Sequence, residues 1–541
     1  MKLKLPENKI ILSKFVNNFF LLPLVATLLF PLLFFAIIED ESTLYIVYII
    51  SILIPLIIRN VFNIKPFKFI LISFVILIIS ILYSVVAFEY HSDVNVNTWE
   101  VILNTDEGES AEFYEAMKFV TKFVVILQIM MYFLYFYIFY KSNEKHDITK
   151  KSKIIWRVIA LLLFLDFGLK GATKKTFPIS FNRSVYQFIK EKYDESKFLE
   201  SKLNKSFNAI QNNKLNKQGA ETIVVVIGET LRKDHLQYYG YNKETTPFLK
   251  KEELICYTDV ISPANQTVNS LKRVFSLAEF EDEMGYIKYP SLIKSFKEVG
   301  YKTYWLTTQK MYGIHDSQIS YIARESDEVF FKNQGKIDEV LFNSYEEVLL
   351  NKESKKIIFI HLLGSHATYK KRIPESFSFF DKEETDDEKK KLINQYDDSV
   401  RYNDYVLSFF LNKLKEKEGE NSFMMFSDHG ESLFDSGDGL CGHGSLRPSK
   451  SEYNIPLVLW FSKEFKEKNK DTYNQVLVNK NEPIILSDLF HSLPSLYGIE
   501  FSKINKNKNF FGNTYIPHKK RKVLNGKKEL IDYGTLKVKN N

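Results

Sequence analysis

The stretch of sequence that decides the fold is residues 423–432, which read FMMFSDHGES. Its first half is an apolar run with strand character, and the run ends abruptly in Asp428, His429 and Gly430. In open α/β sheets, ligands bind at the carboxyl ends of the strands. A carboxylate next to an imidazole is a ligand pair suited to zinc or manganese. One such strand end means little by itself, because a polar residue there is usually a helix cap.

Two further apolar runs end in the same way. Residues 222–230 read TIVVVIGET and end at the carboxylate of Glu229, and residues 356–366 read KIIFIHLLGSH and end near the imidazole of His366. Three strand ends with metal-binding side chains predict one metal-centred site. From residue 222 onward, strand-like runs alternate with helical segments, which predicts a mostly parallel sheet covered on both faces.

Charge and cysteine content exclude some classes of protein. The 541 residues carry 73 Lys and Arg against 66 Asp and Glu, a net charge of +7, and no nucleic-acid-binding motif is visible. A nucleic-acid partner is therefore not expected. The two cysteines, Cys256 and Cys441, give no disulfide framework, and either one bridge or two unpaired thiols is consistent with the sequence.

The first third of the chain predicts a membrane domain. A bilayer span takes about 20 apolar residues, and five segments approach or exceed this length: 15–38, 44–58, 69–88, 119–140 and 154–169. Lys and Arg residues precede the first span and lie between spans two and three and spans four and five, whereas the alternate loops are acidic. The positive-inside rule then places the N-terminus in the cytoplasm and everything after the fifth span outside.

The chain divides into three predicted parts. Residues 1–170 form the membrane domain of five helices, and residues 220–541 form an extracytoplasmic α/β domain. Between them, residues 171–219 are polar and weakly helical, and they predict either a bridge along the membrane surface or a solvated linker. The Lys-rich segment 518–528 could contact anionic headgroups, although an exposed solubilising tail is the simpler interpretation.

A reaction at the predicted site needs a nucleophile, and no Gly-x-Ser-x-Gly elbow is present. Metal coordination can instead activate an alcohol for attack at neutral pH. Thr230 directly follows Glu229, and Thr267 lies in the polar turn 262–270 before a helical run. A threonine at the position of Thr267 would normally be a helix cap, and Thr230 could also cap the next helix, so the residues alone do not decide the nucleophile.

Several motifs together resemble bacterial phosphoethanolamine transferases of the alkaline phosphatase/sulfatase superfamily. The opening motif is GETLRKDH at 228–235, and the closing motif is SDHGESL at 427–433 with GHG at 442–444. The resemblance covers almost the whole chain, including the five spans. It implies an α-helical five-span membrane domain followed by a sulfatase-like periplasmic α/β domain, in the inner membrane of a bacterium.

The resemblance also implies roles for individual residues. The ligands of a catalytic zinc would be Glu229, Thr267, Asp428 and His429. Thr267 would in addition be the nucleophile. His366 and His443 would contact the phosphoethanolamine or hold a second, weaker metal. We expect His361 to be structural and His235 to order the loop after Glu229.

The implied reaction moves phosphoethanolamine between lipids. Thr267 would attack phosphatidylethanolamine, release diacylglycerol and form a phospho-threonine, from which a lipopolysaccharide or another periplasm-facing glycan would take the group. The turn around Thr267 lacks the flanking cysteines of the branch that modifies lipid A. Its Gln-Thr-x-x-Ser-Leu pattern is more similar to the branch that modifies the core heptose, which we favour over lipid A.

Two alternatives remain. A glycerol-phosphate transferase of the lipoteichoic acid synthase type shares the five spans, the outside domain and the threonine nucleophile, but the opening motif argues against it. A non-catalytic, membrane-anchored binding protein would be expected to have lost at least one of the six site residues, and all six are present.

Overall fold

A computed structural model describes most of the chain. The described residues are 24–26, 29, 53–62, 64–90, 94–104, 107–142, 153–161, 179–202, 205–212, 221–309, 318–332, 337–383, 385–435, 441–445 and 447–536. Contacts divide the chain into two compact units, Met1–Tyr193 and Asp194–Asn541. The finer division into three parts, with a bridge at 171–219, stays a prediction.

The helices lie in both units. In chain order they are α1 (Pro66–Tyr90), α2 (Val96–Asn104), α3 (Glu107–Ala116), α4 (Phe119–Ser142), α5 (Ile179–Lys202), α6 (Thr267–Phe275), α7 (Gly285–Lys288), α8 (Leu292–Glu298), α9 (Gln318–Ala323), α10 (Phe342–Leu350), α11 (Glu388–Lys415), α12 (Lys463–Lys468), α13 (Lys470–Val478) and α14 (Leu489–Leu496).

Two helices of the first unit, α1 and α4, are long and apolar enough to cross a membrane, over Phe67–Glu89 and Phe119–Tyr137. They coincide with the third and fourth predicted spans. Of the other three, residues 53–58 and 154–161 are described and helical, and most of the rest lies outside the described residues. The count of five spans therefore stays a prediction.

Helices α1 and α4 are joined by polar contacts inside an otherwise apolar pair. Ser84 Oγ donates to Gln128 Oε1 over 3.0 Å, and Tyr132 OH donates to the carbonyl oxygen of Ile70 over 3.0 Å. Interhelical hydrogen bonds of this kind stabilise helix pairs in an apolar medium, where side-chain burial alone gives little drive.

The strands belong to the second unit. In chain order they are β1 (Ile210–Gln211), β2 (Glu221–Gly228), β3 (Ile255–Cys256), β4 (Val260–Ile261), β5 (Lys302–Thr307), β6 (Glu328–Phe331), β7 (Lys355–His361), β8 (Glu420–Ser427), β9 (Ser432–Leu433), β10 (Cys441–Gly442), β11 (Leu457–Phe461), β12 (Ile484–Ile485), β13 (Ile499–Glu500), β14 (Lys522–Leu524) and β15 (Leu530–Asp532).

A seven-stranded sheet in the order β3-β11-β8-β2-β7-β5-β6 forms the centre of this unit. The five strands from β8 to β6 are parallel to their neighbours, and β11 runs antiparallel to both β8 and β3. The predicted, mostly parallel sheet is confirmed, with one reversed strand. The remaining strands form two-stranded pairs.

Burial on both faces explains the continuous apolar runs of the central strands. In β2, Ile223 and Val225 face one hydrophobic cluster, and Val224 and Val226 face another. Strands covered on both sides lose the polar-apolar alternation of half-exposed strands. The register pairs Ile227 with His361 and Gly228 with Ser427, so β2, β7 and β8 end at the same edge.

The Lys-rich segment 518–528 is not an exposed tail, and that prediction was wrong. Val523 and Leu524 are buried in strand β14, and Arg521 Nη1 pairs with Asp259 Oδ1 over 2.7 Å. The apolar pair inside the basic run supplies the burial that a solvated tail would lack.

The hydrophobic cluster that contains Val224 and Val226 also contains Leu411, and we expect it to contribute strongly to stability on its face of the sheet. Leu411 of α11 is fully buried, whereas Leu350 at the end of α10 is 75% exposed. We expect Leu411→Ala to lower the free energy of unfolding by about 2–5 kcal/mol and the matched control Leu350→Ala to change it by less than about 0.5 kcal/mol. Urea unfolding of the full chain, followed by tryptophan fluorescence, would measure both changes in the free energy of unfolding. Equal losses of stability in the two variants would contradict the role given to the burial of Leu411.

Candidate metal centre

Three side chains with metal-binding atoms meet where β2 and β8 end. Glu229 follows β2, and Asp428 and His429 follow β8. Their ligand atoms lie within 4.8 Å of one another, and all three residues are buried. His429 Nε2 is 3.3 Å from Glu229 Oε1 and 3.3 Å from Asp428 Oδ2.

The donor set fits a zinc ion. Asp428 Oδ2 is buried and has no hydrogen-bond partner among the described residues, which leaves one carboxylate oxygen available. His429 Nδ1 lies 2.8 Å from the carbonyl oxygen of Gly430, so Nδ1 carries the proton and Nε2 faces the carboxylates. Two carboxylates and an imidazole with a fixed tautomer are a common zinc environment.

The electrostatics of the group favour a cation. Burial opposes ionisation of Glu229, but the hydrogen bond and charge of His429 outweigh it and lower the pKa of Glu229. Burial, reinforced by the charge of Glu229, raises the pKa of Asp428. Burial would lower the pKa of His429, but the charge of Asp428 and the hydrogen bond to Glu229 outweigh burial and raise this pKa. Asp428 and His429 are therefore drawn toward their protonated forms, and a divalent ion would displace those protons beside the ionised Glu229.

Thr267 is the first residue of α6 and borders this group. Its Oγ1 donates to Glu229 Oε2 at 3.2 Å and lies 3.3 Å from His429 Nε2. The side chain is half-buried, so it can be reached from outside, whereas that of Thr230 is fully buried. The structure thus brings together all four residues expected at the metal.

His366 and His443 lie next to the group formed by Glu229, Asp428 and His429. Together with Glu229 they form a second group of potential ligands within 4.8 Å. The His443 ring is centred 4.3 Å from that of His429 and 5.6 Å from that of His366. Both imidazoles are half-buried, which suits contact with a molecule bound at Thr267.

Sequence reasoning missed the residues that support these groups. Buried Glu431 accepts from His443 Nδ1 at 2.7 Å and from Tyr369 OH at 2.6 Å. Gln309 Nε2 donates to Glu229 Oε2 at 3.2 Å. Glu431 stands within the closing motif, which was a signal, but nothing near Tyr369 or Gln309 in the chain indicates their partners.

The loop after β7 packs closely against the backbone of Glu229. Ser365 N donates to the Glu229 carbonyl oxygen over 3.1 Å. Gly364 has a φ of +57°, and a Cβ there would lie 2.9 Å from Glu229 N. Only glycine fits this approach, which fixes the backbone of the carboxylate.

Other predicted residues lie outside both groups. His361 is buried beside Trp305, and burial lowers its pKa to about 4. His235 Nδ1 pairs with Asp397 Oδ1 at 2.6 Å. Cys256 and Cys441 are both free, so of the two alternatives the structure has the unpaired thiols.

Comparison with known proteins agrees with this architecture. The model of the sulfatase family matches residues 221–499. Phosphoethanolamine transferase EptC of Escherichia coli strain K12 is 29% identical over 336 residues, and phosphoethanolamine transferase CptA of Salmonella typhimurium is 28% identical over 336 residues. Each match covers 58% of this chain and 57% of the relative, so the chain spans little more than half the length of these relatives.

Two solved structures extend the likeness. The periplasmic domain of EptC from Escherichia coli, in complex with zinc, superimposes with a TM-score of 0.56 and 27% identity, covering 61% of this chain and 96% of that chain. The integral membrane protein EptA of Neisseria meningitidis gives a TM-score of 0.68 at 22% identity over 92% of this chain and 98% of that chain, which supports the fold. The expected resemblance to phosphoethanolamine transferases is confirmed.

Proposed function

The chain belongs to the sulfatase family, and from this premise we propose that it transfers phosphoethanolamine from phosphatidylethanolamine to lipopolysaccharide. The observation that carries the proposal is the convergence of a half-buried threonine, three buried metal-binding side chains and two half-buried histidines at one sheet edge. The relatives named phosphoethanolamine transferase support the same chemistry.

Glu229, Thr267, Asp428 and His429 would hold one zinc ion, and a second, weaker metal could use Glu229, His366 and His443. When bound, zinc lowers the pKa of the Thr267 hydroxyl and neutralises charge on the phosphoryl oxygens. The zinc complex of the related EptC domain supports the choice of ion.

The proposed reaction has two displacements at phosphorus. In the first, Thr267 Oγ1, which has released its proton to solvent and stays deprotonated between cycles, bonds to the phosphorus of phosphatidylethanolamine as the bond to the diacylglycerol oxygen breaks. His443, protonated and held by Glu431, gives its Nε2 proton to that leaving oxygen. In the second, an acceptor hydroxyl attacks the phospho-threonine, returns a proton to His443 and frees Thr267. His366 steadies the phosphoryl oxygens in both steps.

The proposed location is the bacterial inner membrane, with the N-terminus in the cytoplasm and the second unit in the periplasm. The two apolar helices support it, and it agrees with the proposal of a lipid donor. We favour the core heptose as acceptor over lipid A because of the Gln266-Thr267 turn and its missing cysteines.

An intact-mass experiment tests the donor. Zinc-loaded full-length protein in detergent is incubated with phosphatidylethanolamine, with phosphatidylglycerol as the control lipid. We expect the mass of one phosphoethanolamine to be added at Thr267. A glycerol-phosphate adduct would instead support the lipoteichoic acid synthase type, and no adduct on either lipid would refute the two-step proposal. Core-truncated lipopolysaccharides then distinguish heptose from lipid A.

The Glu431–His443 pair predicts a second effect. In Glu431→Gln the carboxylate that orients His443 Nδ1 is lost, so we expect transfer to slow by roughly 100-fold, at the low end of what a positioned proton donor contributes. Zinc content should stay unchanged, because Glu431 lies outside both groups of potential ligands. Tyr369→Phe, which removes one bond to Glu431, is the milder control. A wild-type rate in Glu431→Gln would contradict the role given to His443.

A further inference from the structure

Thr230 has a backbone conformation that its residue type disfavours. Its φ is +61°, in the left-handed region. A β-branched side chain is strained there, and such strain persists only where the surroundings enforce it. Strained residues concentrate at functional sites, so the contacts of Thr230 show what the conformation achieves.

Thr230 joins two residues of the candidate metal centre. Its Oγ1 donates to Glu229 Oε1 over 2.7 Å, and its backbone N donates to Asp428 Oδ1 over 3.1 Å. Both acceptors are carboxylates, and they follow the ends of two different strands, β2 and β8. The residue is fully buried, so water cannot replace either bond.

Helix α11 stabilises the backbone conformation of Thr230 through Tyr396. Tyr396 OH donates to the Thr230 carbonyl oxygen over 2.8 Å and accepts from Arg232 N over 2.9 Å. The left-handed turn is thus held at its amide, hydroxyl and carbonyl groups. Asp428 Oδ1 also accepts from His429 N over 2.7 Å, whereas the other oxygen, Oδ2, has no hydrogen-bond partner among the described residues.

We propose that Thr230 is a positioning residue that fixes the carboxylates of Glu229 and Asp428 for the metal. Each carboxylate gives one oxygen to Thr230, which restricts rotation of both side chains. The inference rests on the proposed zinc site and extends that proposal, because it assigns a role to a threonine that is not itself a ligand. Partners that orient ligands in this way typically contribute about 10- to 100-fold to metal affinity.

The test is zinc affinity of the full-length protein, measured by competition with a chromogenic chelator. Thr230→Ala and Thr230→Ser differ only in the hydroxyl. We expect the alanine variant to bind zinc about 10- to 100-fold more weakly and the serine variant to bind almost as wild type does. At saturating zinc, Thr230→Ala should recover most of its transfer rate, because the deficit lies in affinity.

Thr230→Gly separates positioning from folding. Glycine accepts the left-handed conformation without strain, so the metal-free variant should melt no lower than wild type, yet it lacks the hydroxyl and should lose zinc affinity as alanine does. Wild-type affinity in the alanine and glycine variants would overturn the positioning role while leaving the zinc site intact. A wild-type protein that binds no zinc would instead overturn the metal centre itself.

Discussion

Replacing Thr267 with alanine is expected to reduce phosphoethanolamine transfer by about six orders of magnitude, the scale on which a hydrolase loses rate without its nucleophile. The hydroxyl lies 3.2 Å from Glu229 Oε2 and 3.3 Å from His429 Nε2, and Thr230, the other threonine considered, is fully buried. Without Oγ1 the phospho-threonine cannot form. Transfer of radiolabelled phosphoethanolamine from phosphatidylethanolamine to lipopolysaccharide would measure the loss.

Two variants make this result specific. Thr267→Ser keeps an alcohol at the same position and should retain measurable transfer. Thr514→Ala removes the same atoms from an exposed threonine whose Oγ1 bonds to the Lys506 carbonyl oxygen, and its rate should equal that of wild type. A phosphoethanolamine adduct that persists in Thr267→Ala would assign the reaction to another residue.

Glu229→Gln is expected to lower zinc affinity by more than about 100-fold, beyond the usual loss for a residue that only supports a ligand. Glu229 belongs to both groups of potential ligands and accepts from Thr267 and Gln309. The amide removes a negative charge from a buried site that would have to balance a divalent ion. Transfer should fall with zinc occupancy, measured by elemental analysis and chelator competition.

The same strand offers the control. Glu221 lies at the opposite end of β2, is buried, and accepts from Tyr301 OH over 2.6 Å. Glu221→Gln makes the same chemical change in the same element, far along the strand from the site, and should leave zinc binding intact. If Glu229→Gln bound zinc as tightly as wild type while Glu221→Gln did too, the ion would lie elsewhere.

The central strands could be predicted because the sequence pattern that identifies them lies within each strand. Strands β2, β7 and β8 are buried on both faces and therefore read as continuous apolar runs that end in polar residues. Strands β3 and β6 were not predicted, since two and four residues carry too little periodicity. The ends of these strands were enough to anticipate that Asp428, His429 and Glu229 would meet near His366. Thr267 and His443 were implied only by the family resemblance.

What could not be predicted depends on contacts between distant parts of the chain. Tyr369 reaches Glu431, and Tyr396 of α11 reaches Thr230, through pairings set by the packing of loops and helices on the sheet. Nothing in the local sequence specifies such pairs. The positive φ of Thr230 was equally hidden, because threonine is a residue type for which that conformation is unexpected.

The position of Glu229 between two groups of potential ligands has a consequence for regulation by metal supply. One carboxylate cannot fully neutralise two ions. An ion bound by Asp428 and His429 would therefore weaken binding of a second ion by His366 and His443, a negative cooperativity that arises from the shared Glu229. The same two histidines are proposed to act on the substrate, His443 as the proton carrier and His366 by steadying the phosphoryl oxygens. Scarce zinc would leave them free to turn over substrate, and surplus zinc would bind them and act as an inhibitor of the reaction it otherwise enables.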